Sequence, residues 1–377
     1  VHITLASPTS GTIARMAPLA AVERRRAELA ASSVTSLFGG ALAGIPGIQL
    51  AYIRSDRRRT LSWNYWWQAH YLDAVVDAAL RDSAHRGAWL RTGRALRRGI
   101  WIRNAFHYPN AFYDDMAWLA LANQRLGGLE VSMLGGLSRA SRRANKALGA
   151  HLRSAHTPDL GGGVWWNRRR DFKNAPASAP AAIYFARTGE LGRAHDLVEW
   201  MYAVLVDPQT GMIRDGVRRR EAALVADVYT YNQGTVLAAL LALGDERSLS
   251  RAADLVAAIA EHCGHDVVGL PVLRTHGGHD GGLFTGILVR YLARAARDPR
   301  LDEATRATAG QLVQATASAL WEGREAVASH GAKVIVFPAD PGVAAQAGGS
   351  AGESIELSTQ LQAWTIFEAA YAVAALA

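Results

Sequence analysis

Two aspartates stand side by side at Asp114 and Asp115, in the segment Asn110-Ala-Phe-Tyr-Asp-Asp-Met-Ala-Trp118 that opens an apolar helical run. Consecutive helical residues hold their Cβ atoms about 5 to 6 Å apart, which suits the carboxyl separation of a retaining glycosidase and is tight for an inverting one. Carboxyls this close repel and their pKa values separate, so that one stays ionised as a nucleophile while the other keeps its proton as a general acid. A pair of acidic residues in a first turn also stabilises the helix dipole. The spacing alone leaves both roles open.

Three further segments carry polar and aromatic groups of the kind that bind sugars. Trp63, Trp66, Trp67 and His70 follow helical spacing in Trp63-Asn-Tyr-Trp-Trp-Gln-Ala-His70. This stripe fits a core face as well as it fits a saccharide platform in which indole faces meet C–H groups and Gln68 and His70 meet hydroxyls. Gly161 to Asn174 forms a glycine-opened loop with Trp165, Trp166 and Lys173, the sort of loop that lines sites on a helical scaffold or simply connects its elements. Asp227-Val-Tyr-Thr-Tyr-Asn-Gln-Gly234 opens a strongly apolar helix, where Tyr231, Asn232 and Gln233 are hydrogen-bonding groups and Asn232 equally suits an N-cap. Two other groupings are weaker. His262, Cys263, His265 and Asp266 with His276, His279 and Asp280 supply zinc-type ligands at no established zinc spacing, so no metal is expected. Gly348-Gly-Ser350-Ala-Gly352 has the pattern of a nucleophile elbow but no strand before it, and is expected to be a loop.

These segments sit on helices. Apolar residues at period 3.6 predict about twelve of them, at 16–36, 62–83, 85–106, 110–127, 133–154, 176–188, 190–206, 225–243, 246–263, 281–297, 301–322 and 355–376. Turn signals separate them, among them Gly127-Gly128 and Leu243-Gly244-Asp245. The best strand candidate, Lys333 to Phe337, is short, and the chain reads as all-α in one domain over 1–377, with 1–15 an extended N-terminal arm. Twelve helices with short connections make six hairpins, and six hairpins close into a ring of inner and outer helices, an (α/α)6 barrel, although no sequence repeat at that period is visible. The odd-numbered helices are rich in Arg and Ala. The even-numbered ones carry the unusual polar and aromatic residues near their N-terminal ends, so the chemistry is expected at the end of the barrel where those N-termini meet.

Composition narrows the function. Half of the 377 residues are hydrophobic and one fifth charged, which excludes a disordered chain, and no apolar run reaches the 18 or so residues of a membrane span. The single cysteine, Cys263, cannot form an internal disulfide. The N-terminal residues lack a secretory signal pattern, so the sequence by itself reads as cytoplasmic. Net charge is +8, and only three of the 41 cations are lysine, a skew expected of a GC-rich genome. The arginines are scattered in short clusters along the chain, which argues against nucleic acid and is compatible with peripheral contact at an anionic membrane surface or a phosphate-bearing glycan.

Taken in order, the segments resemble glycoside hydrolase family 76, the endo-α-1,6-mannanases. The carrying residues are Trp66 to Asp73, Tyr113-Asp114-Asp115-Met116-Ala117-Trp118, Gly161-Gly-Gly-Val-Trp165 leading to Lys173-Asn174, and Thr230-Tyr-Asn-Gln-Gly234. Further along are Asp280-Gly-Gly-Leu-Phe284 with Gly286 and Tyr291-Leu292, then Leu357-Ser-Thr-Gln360. The resemblance spans about 60 to 376. It implies an (α/α)6 barrel, no metal or other cofactor, and retaining hydrolysis within an α-1,6-mannan chain, with Asp114 as nucleophile and Asp115 as general acid/base. It implies a sugar lining of Trp66, Gln68, His70, Tyr113, Trp165, Asn174, Tyr231, Asn232 and Phe284, with Asp227 and Asp280 as further contacts. Two departures bear on the subsites: Thr285 stands where the family usually has Lys, and Ala179 where an Asn is expected.

The expected partner is an α-1,6-mannan polysaccharide or a lipomannan-type lipoglycan, for a protein acting as a monomer. A lipoglycan substrate would place it at the cell envelope, against the absence of a signal pattern. Two alternatives predict other outcomes. An (α/α)6 epimerase or isomerase would use His or Glu bases and make no new reducing ends, and a non-catalytic glycan-binding protein would keep its affinity without Asp114 and Asp115.

Overall fold

The computed structural model describes residues 10–56, 63–329, 332–345 and 355–375. Among these, twelve α-helices appear: α1 Ser10–Phe38, α2 Tyr65–Arg81, α3 Arg86–Arg103, α4 Tyr113–Leu134, α5 Arg139–Ala155, α6 Ala175–Arg187, α7 Leu191–Val204, α8 Thr230–Leu243, α9 Glu246–Cys263, α10 Phe284–Ala296, α11 Glu303–Glu322 and α12 Leu357–Ala374. Side-chain pattern sorts them into two layers. α6, α8 and α12 are buried nearly all round, whereas α5 buries only one face through Ser141, Ala144, Leu148, Leu152 and Ala155.

The buried helices form the inner ring. α2 packs on α4, α4 on α6, α6 on α8, α8 on α10, α10 on α12, and α12 returns to α2, which closes the circle. Each odd helix lies outside: α3 on α2, α5 on α4, α7 on α6, α9 on α8, α11 on α10, and the N-terminal α1 on α12. The fold is an (α/α)6 barrel. Close approach of inner helices needs small residues. A Cβ on Gly234 of α8 would lie 2.6 Å from the Leu288 Cα of α10, so a larger residue there would force the two helices apart.

Helix boundaries depart from the sequence pattern where backbone geometry decides. The Gly127-Gly128 pair does not end α4, which runs on to Leu134. The left-handed residue that stops it is Gly135 (φ 74°), and α5 starts only after Ser138, whose side chain caps it. The expected extended arm at 1–15 is helical from Ser10 onward, and residues 1–9 lie outside the described part, as does Gly348-Gly-Ser350-Ala-Gly352. Nine short strands appear where one was expected: β1 Gly39–Ala41, β2 Gln49–Ala51, β3 Phe172–Asn174, β4 Gly216–Arg218, β5 Leu224–Val225, β6 Gly264–Val267, β7 Leu270–Leu273, β8 Glu325–Ser329 and β9 Ala332–Val336. All pair antiparallel within connections, and at two to five residues most are too short to show an alternating pattern.

A structural repeat hides in the inner ring. The fourth residue of α2, α8 and α12 is glutamine in each case, and each amide clamps both backbone groups of a residue in the preceding connection. Gln68 binds the N–H and C=O of Ala51, Gln233 those of Ile213, and Gln360 those of Phe337, all at 2.8 to 2.9 Å. At the same position of α6, the Ser178 hydroxyl accepts from the Val164 N–H. These buried side chains stand in for a sheet ladder and pin the loops over the barrel mouth.

Candidate active site

The N-terminal ends of α2, α4, α8 and α10 are tied together at that mouth. One carboxylate oxygen of Asp280, just before α10, accepts the indole N–H of Trp66 at 3.0 Å, that of Trp67 at 2.9 Å and the Asn64 amide at 3.3 Å. The Tyr231 ring of α8 stacks on Phe284 of α10 with centroids 4.0 Å apart and a 6° angle. Trp118 of α4 stacks on Tyr231 at 6.5 Å and meets His70 at 4.8 Å. Trp66 completes the wall, 6.3 Å from Phe284 and 5.4 Å from His70.

Asp114 and Asp115 lie in this aromatic surround in the first turn of α4, each with part of its surface open. Among the described residues no arginine or lysine pairs with either. Desolvation dominates: it raises Asp114 to about 7 and Asp115 well above the ordinary aspartate value, with mutual repulsion adding to the latter. Hydrogen bonding breaks the symmetry. Asp114 accepts the backbone N–H of Asp115 at 2.8 Å through one oxygen and the Trp166 indole N–H at 2.9 Å through the other. Asp115 has one amide donor, Asn110 Nδ2, at 2.5 Å. Two donors favour the ionised form of Asp114, while Asp115 keeps its proton more firmly.

The position of Trp166 follows from its loop. The Tyr113 N–H donates to the Trp166 carbonyl, the Trp166 N–H to the Phe172 carbonyl, and bridges link Phe112 to Asn167 and Trp165 to Lys173. Successive side chains of an extended segment face opposite ways. Trp166 therefore reaches Asp114, and Trp165 turns into the core with no exposed surface. This corrects the sequence expectation, which placed Trp165 in the sugar lining. Lys173 is also structural: its fully buried ammonium donates to the carbonyls of Thr157, Asp159 and Gly162 at 2.6 to 2.7 Å and fixes that loop.

The other expected contacts divide. Trp66, Tyr231, Phe284 and Asp280 lie at the mouth. His70 lies beneath them, buried, with Nε2 lacking a partner; desolvation lowers its pKa to about 3, so the ring is neutral. Asn232 is buried in α8, donates to Asp215 at 3.4 Å and leaves its own carbonyl oxygen without a partner. Asp227 is exposed at the rim, near enough to Asp215 to raise its pKa. Gln68 is removed from the lining by its clamp on Ala51, Asn174 serves as the N-cap of α6 by accepting from the Ala177 N–H, and Tyr113 is buried at the start of α4. Thr285, where a lysine was expected, is buried and hydrogen-bonded to the Arg274 carbonyl and to Thr230, and Ala179 is buried as well.

Sequence reasoning missed Trp166, Asn110 and Asp215. Asn110 and Trp166 stood inside quoted motifs, but only the folded loop shows that they converge on the aspartates. Asp215, whose pKa burial raises to about 6, has no motif around it. Among the described residues no group of three or more His, Cys, Asp or Glu side chains is arranged to hold a metal ion. Among the described residues no helix is long and apolar enough to cross a membrane.

A paired-aspartate site in an aromatic mouth at the N-terminal end of an (α/α)6 barrel is the arrangement expected of a glycoside hydrolase. The chain belongs to glycosyl hydrolase family 76, whose family model matches residues 49–372. Among solved structures it is similar to the GH76A alpha-1,6-mannanase of Salegentibacter sp. HEL1_6, with 25% identity over 92% of this chain and 98% of that one and a TM-score of 0.78. An inactive variant of that enzyme, with two consecutive aspartates replaced by asparagine and in complex with alpha-1,6-mannotriose, matches at 24% identity, 93% and 99% coverage and a TM-score of 0.78. Dfg5 from Chaetomium thermophilum, in complex with glucosamine, shares the fold at 15% identity, 94% and 90% coverage and a TM-score of 0.69. No curated protein matches the chain.

Proposed function

We propose that this glycoside hydrolase is a retaining endo-α-1,6-mannanase, with Asp114 as nucleophile and Asp115 as general acid/base. The observation that carries the assignment is the unequal hydrogen bonding of the pair: two N–H donors on Asp114, one amide on Asp115. An Asp114 oxygen attacks the anomeric carbon while Asp115 delivers its proton to the departing 6-oxygen, giving a glycosyl ester on Asp114. The ionised Asp115 then takes a proton from water, whose oxygen attacks the same carbon and frees Asp114. Adjacent first-turn positions support retention because they leave little room for a water between the carboxyls. The Tyr231–Phe284 stack and Trp66 supply apolar faces for sugar C–H groups.

Similarity to the Salegentibacter alpha-1,6-mannanase supports the linkage. For the natural substrate we favour a mannan-bearing anionic lipoglycan at the cell envelope, on the ground of the +8 net charge. The test is reducing-end release and product size on linear α-1,6-mannan, with Asp114→Asn as control. Short oligomannosides from the parent alone are the expected result. Binding without release would instead indicate a glycan-binding protein, and equal rates on fungal mannan would count against the lipoglycan.

A further inference from the structure

At the end of the barrel opposite the aspartate pair, the later turns of α2, α4, α10 and α12 and the last residue of α6 surround a cavity of about 990 Å3. Six arginines and three carboxylates line it. The carboxylates are all engaged. Asp73 and Asp77 are each gripped by both Arg125 and Arg290, and Arg81 binds Glu368 at 2.9 Å. That leaves Arg187, Arg294 and Arg297, for which no ion pair or side-chain hydrogen bond exists among the described residues.

Three guanidinium groups without a carboxylate partner gather at one cavity, each of them exposed and so able to take an anion from solution. Packing of protein around the groups and the neighbouring arginine charges lower Arg187 to about 10 and lower Arg294 as well. Arg187 and Arg294 occupy the last turns of α6 and α10, where a cation also answers the helix dipole. The dipole accounts for each arginine singly. It does not account for their meeting where every carboxylate is already taken, nor for Arg290, nine-tenths buried in the same wall, whose Nε has no partner.

We propose that this cavity binds a phosphate-bearing ligand through Arg187, Arg294 and Arg297. Guanidinium forks match the paired oxygens of a phosphate monoester or diester, and the volume accommodates an organic group carrying it. The apolar part of the wall, including Leu80 at 58% exposure, Leu137 and Ala372, suits such a carrier better than a bare ion. The site is independent of the mannanase assignment, since it shares no residue with the barrel mouth.

The test uses the full chain and the double variant Arg187→Gln/Arg294→Gln. Binding of inorganic phosphate and of glycerol 3-phosphate is followed by calorimetry at matched ionic strength. Sedimentation is measured with phosphatidylinositol-containing vesicles against phosphatidylcholine alone. Saturable binding that weakens about tenfold or more in the double variant, with circular dichroism and reducing-end release unchanged, supports the site. Response to the soluble phosphates identifies a free ligand, and response to the anionic vesicles alone identifies a lipid headgroup. If glutamine disturbs the fold, Arg187→Lys/Arg294→Lys keeps the charge, loses the fork and is expected to bind several-fold more weakly. No saturable binding by any probe, or equal binding by parent and variants, overturns the proposal.

Discussion

The two ends of the barrel hold desolvated carboxylates in opposite electrostatic states. At the mouth, Asp114 and Asp115 are surrounded by aromatic rings and each other, and both are pushed up. At the far end, Asp73 is more deeply buried yet held below the ordinary aspartate range, because Arg125 and Arg290 outweigh its desolvation. The same helices serve both ends: α4 carries Asp115 in its first turn and Arg125 near its middle, and α2 carries Trp66 and then Asp73. Burial alone therefore does not set the protonation state. The counterions decide, and the end that holds the proposed catalytic pair is the one without them.

This contrast is broken most severely by removing the proposed nucleophile or the proposed acid. Asp114→Asn and Asp115→Asn are each expected to lose on the order of 10^4-fold in reducing-end release with an unchanged circular dichroism spectrum. Azide restores turnover with retained configuration in an Asp115 variant if that residue is the acid/base. Asp73→Asn does its damage to the fold instead. It strands Arg125 and Arg290 without a full countercharge and is expected to destabilise the protein by about 3 to 5 kcal/mol in denaturant titrations. The same depressed pKa makes the Asp73 contribution present above the ordinary value of 3.8 and lost as pH falls below it, so acid unfolding of the parent should be steeper than that of the variant.

A third change probes the asymmetry within the pair. Trp166→Phe deletes an N–H donor that lowers the Asp114 pKa, so the acid limb of the kcat/KM profile should move to higher pH, with a loss of about 10- to 100-fold near neutrality. The smallest effect has the opposite sign to Asp73→Asn. Because the folded-state pKa of Asp115 is raised, its contribution to stability is present at low pH and lost as pH rises. Asp115→Asn should then stabilise the inactive protein by about 1 kcal/mol at neutral pH. A lower melting temperature for this variant would sink the account of the mouth as a strained, desolvated site.

Much of this was legible in the chain. Apolar period separated the helices, and the placement of Trp66, Asp114, Tyr231 and Phe284 near even-helix starts anticipated that the structure gathers them at one end of the barrel. The assignments that failed share a cause. Gln68, Trp165 and Asn174 have the chemistry of sugar ligands, but each is spent on a backbone clamp, core packing or a cap. Residue type states what a group is able to bind, and only the fold states what has already bound it.

Periodicity and composition thus determined the barrel, its inner and outer layers and the aspartate pair, because burial of apolar faces and first-turn placement are local consequences of sequence. The tertiary structure decided which indole reaches Asp114, that the glutamines of α2, α8 and α12 hold the loops, and that three arginines of one cavity are left without a carboxylate partner. Those outcomes depend on contacts between residues far apart in the chain, where the direction of a side chain is set by bridges and packing that no local pattern records.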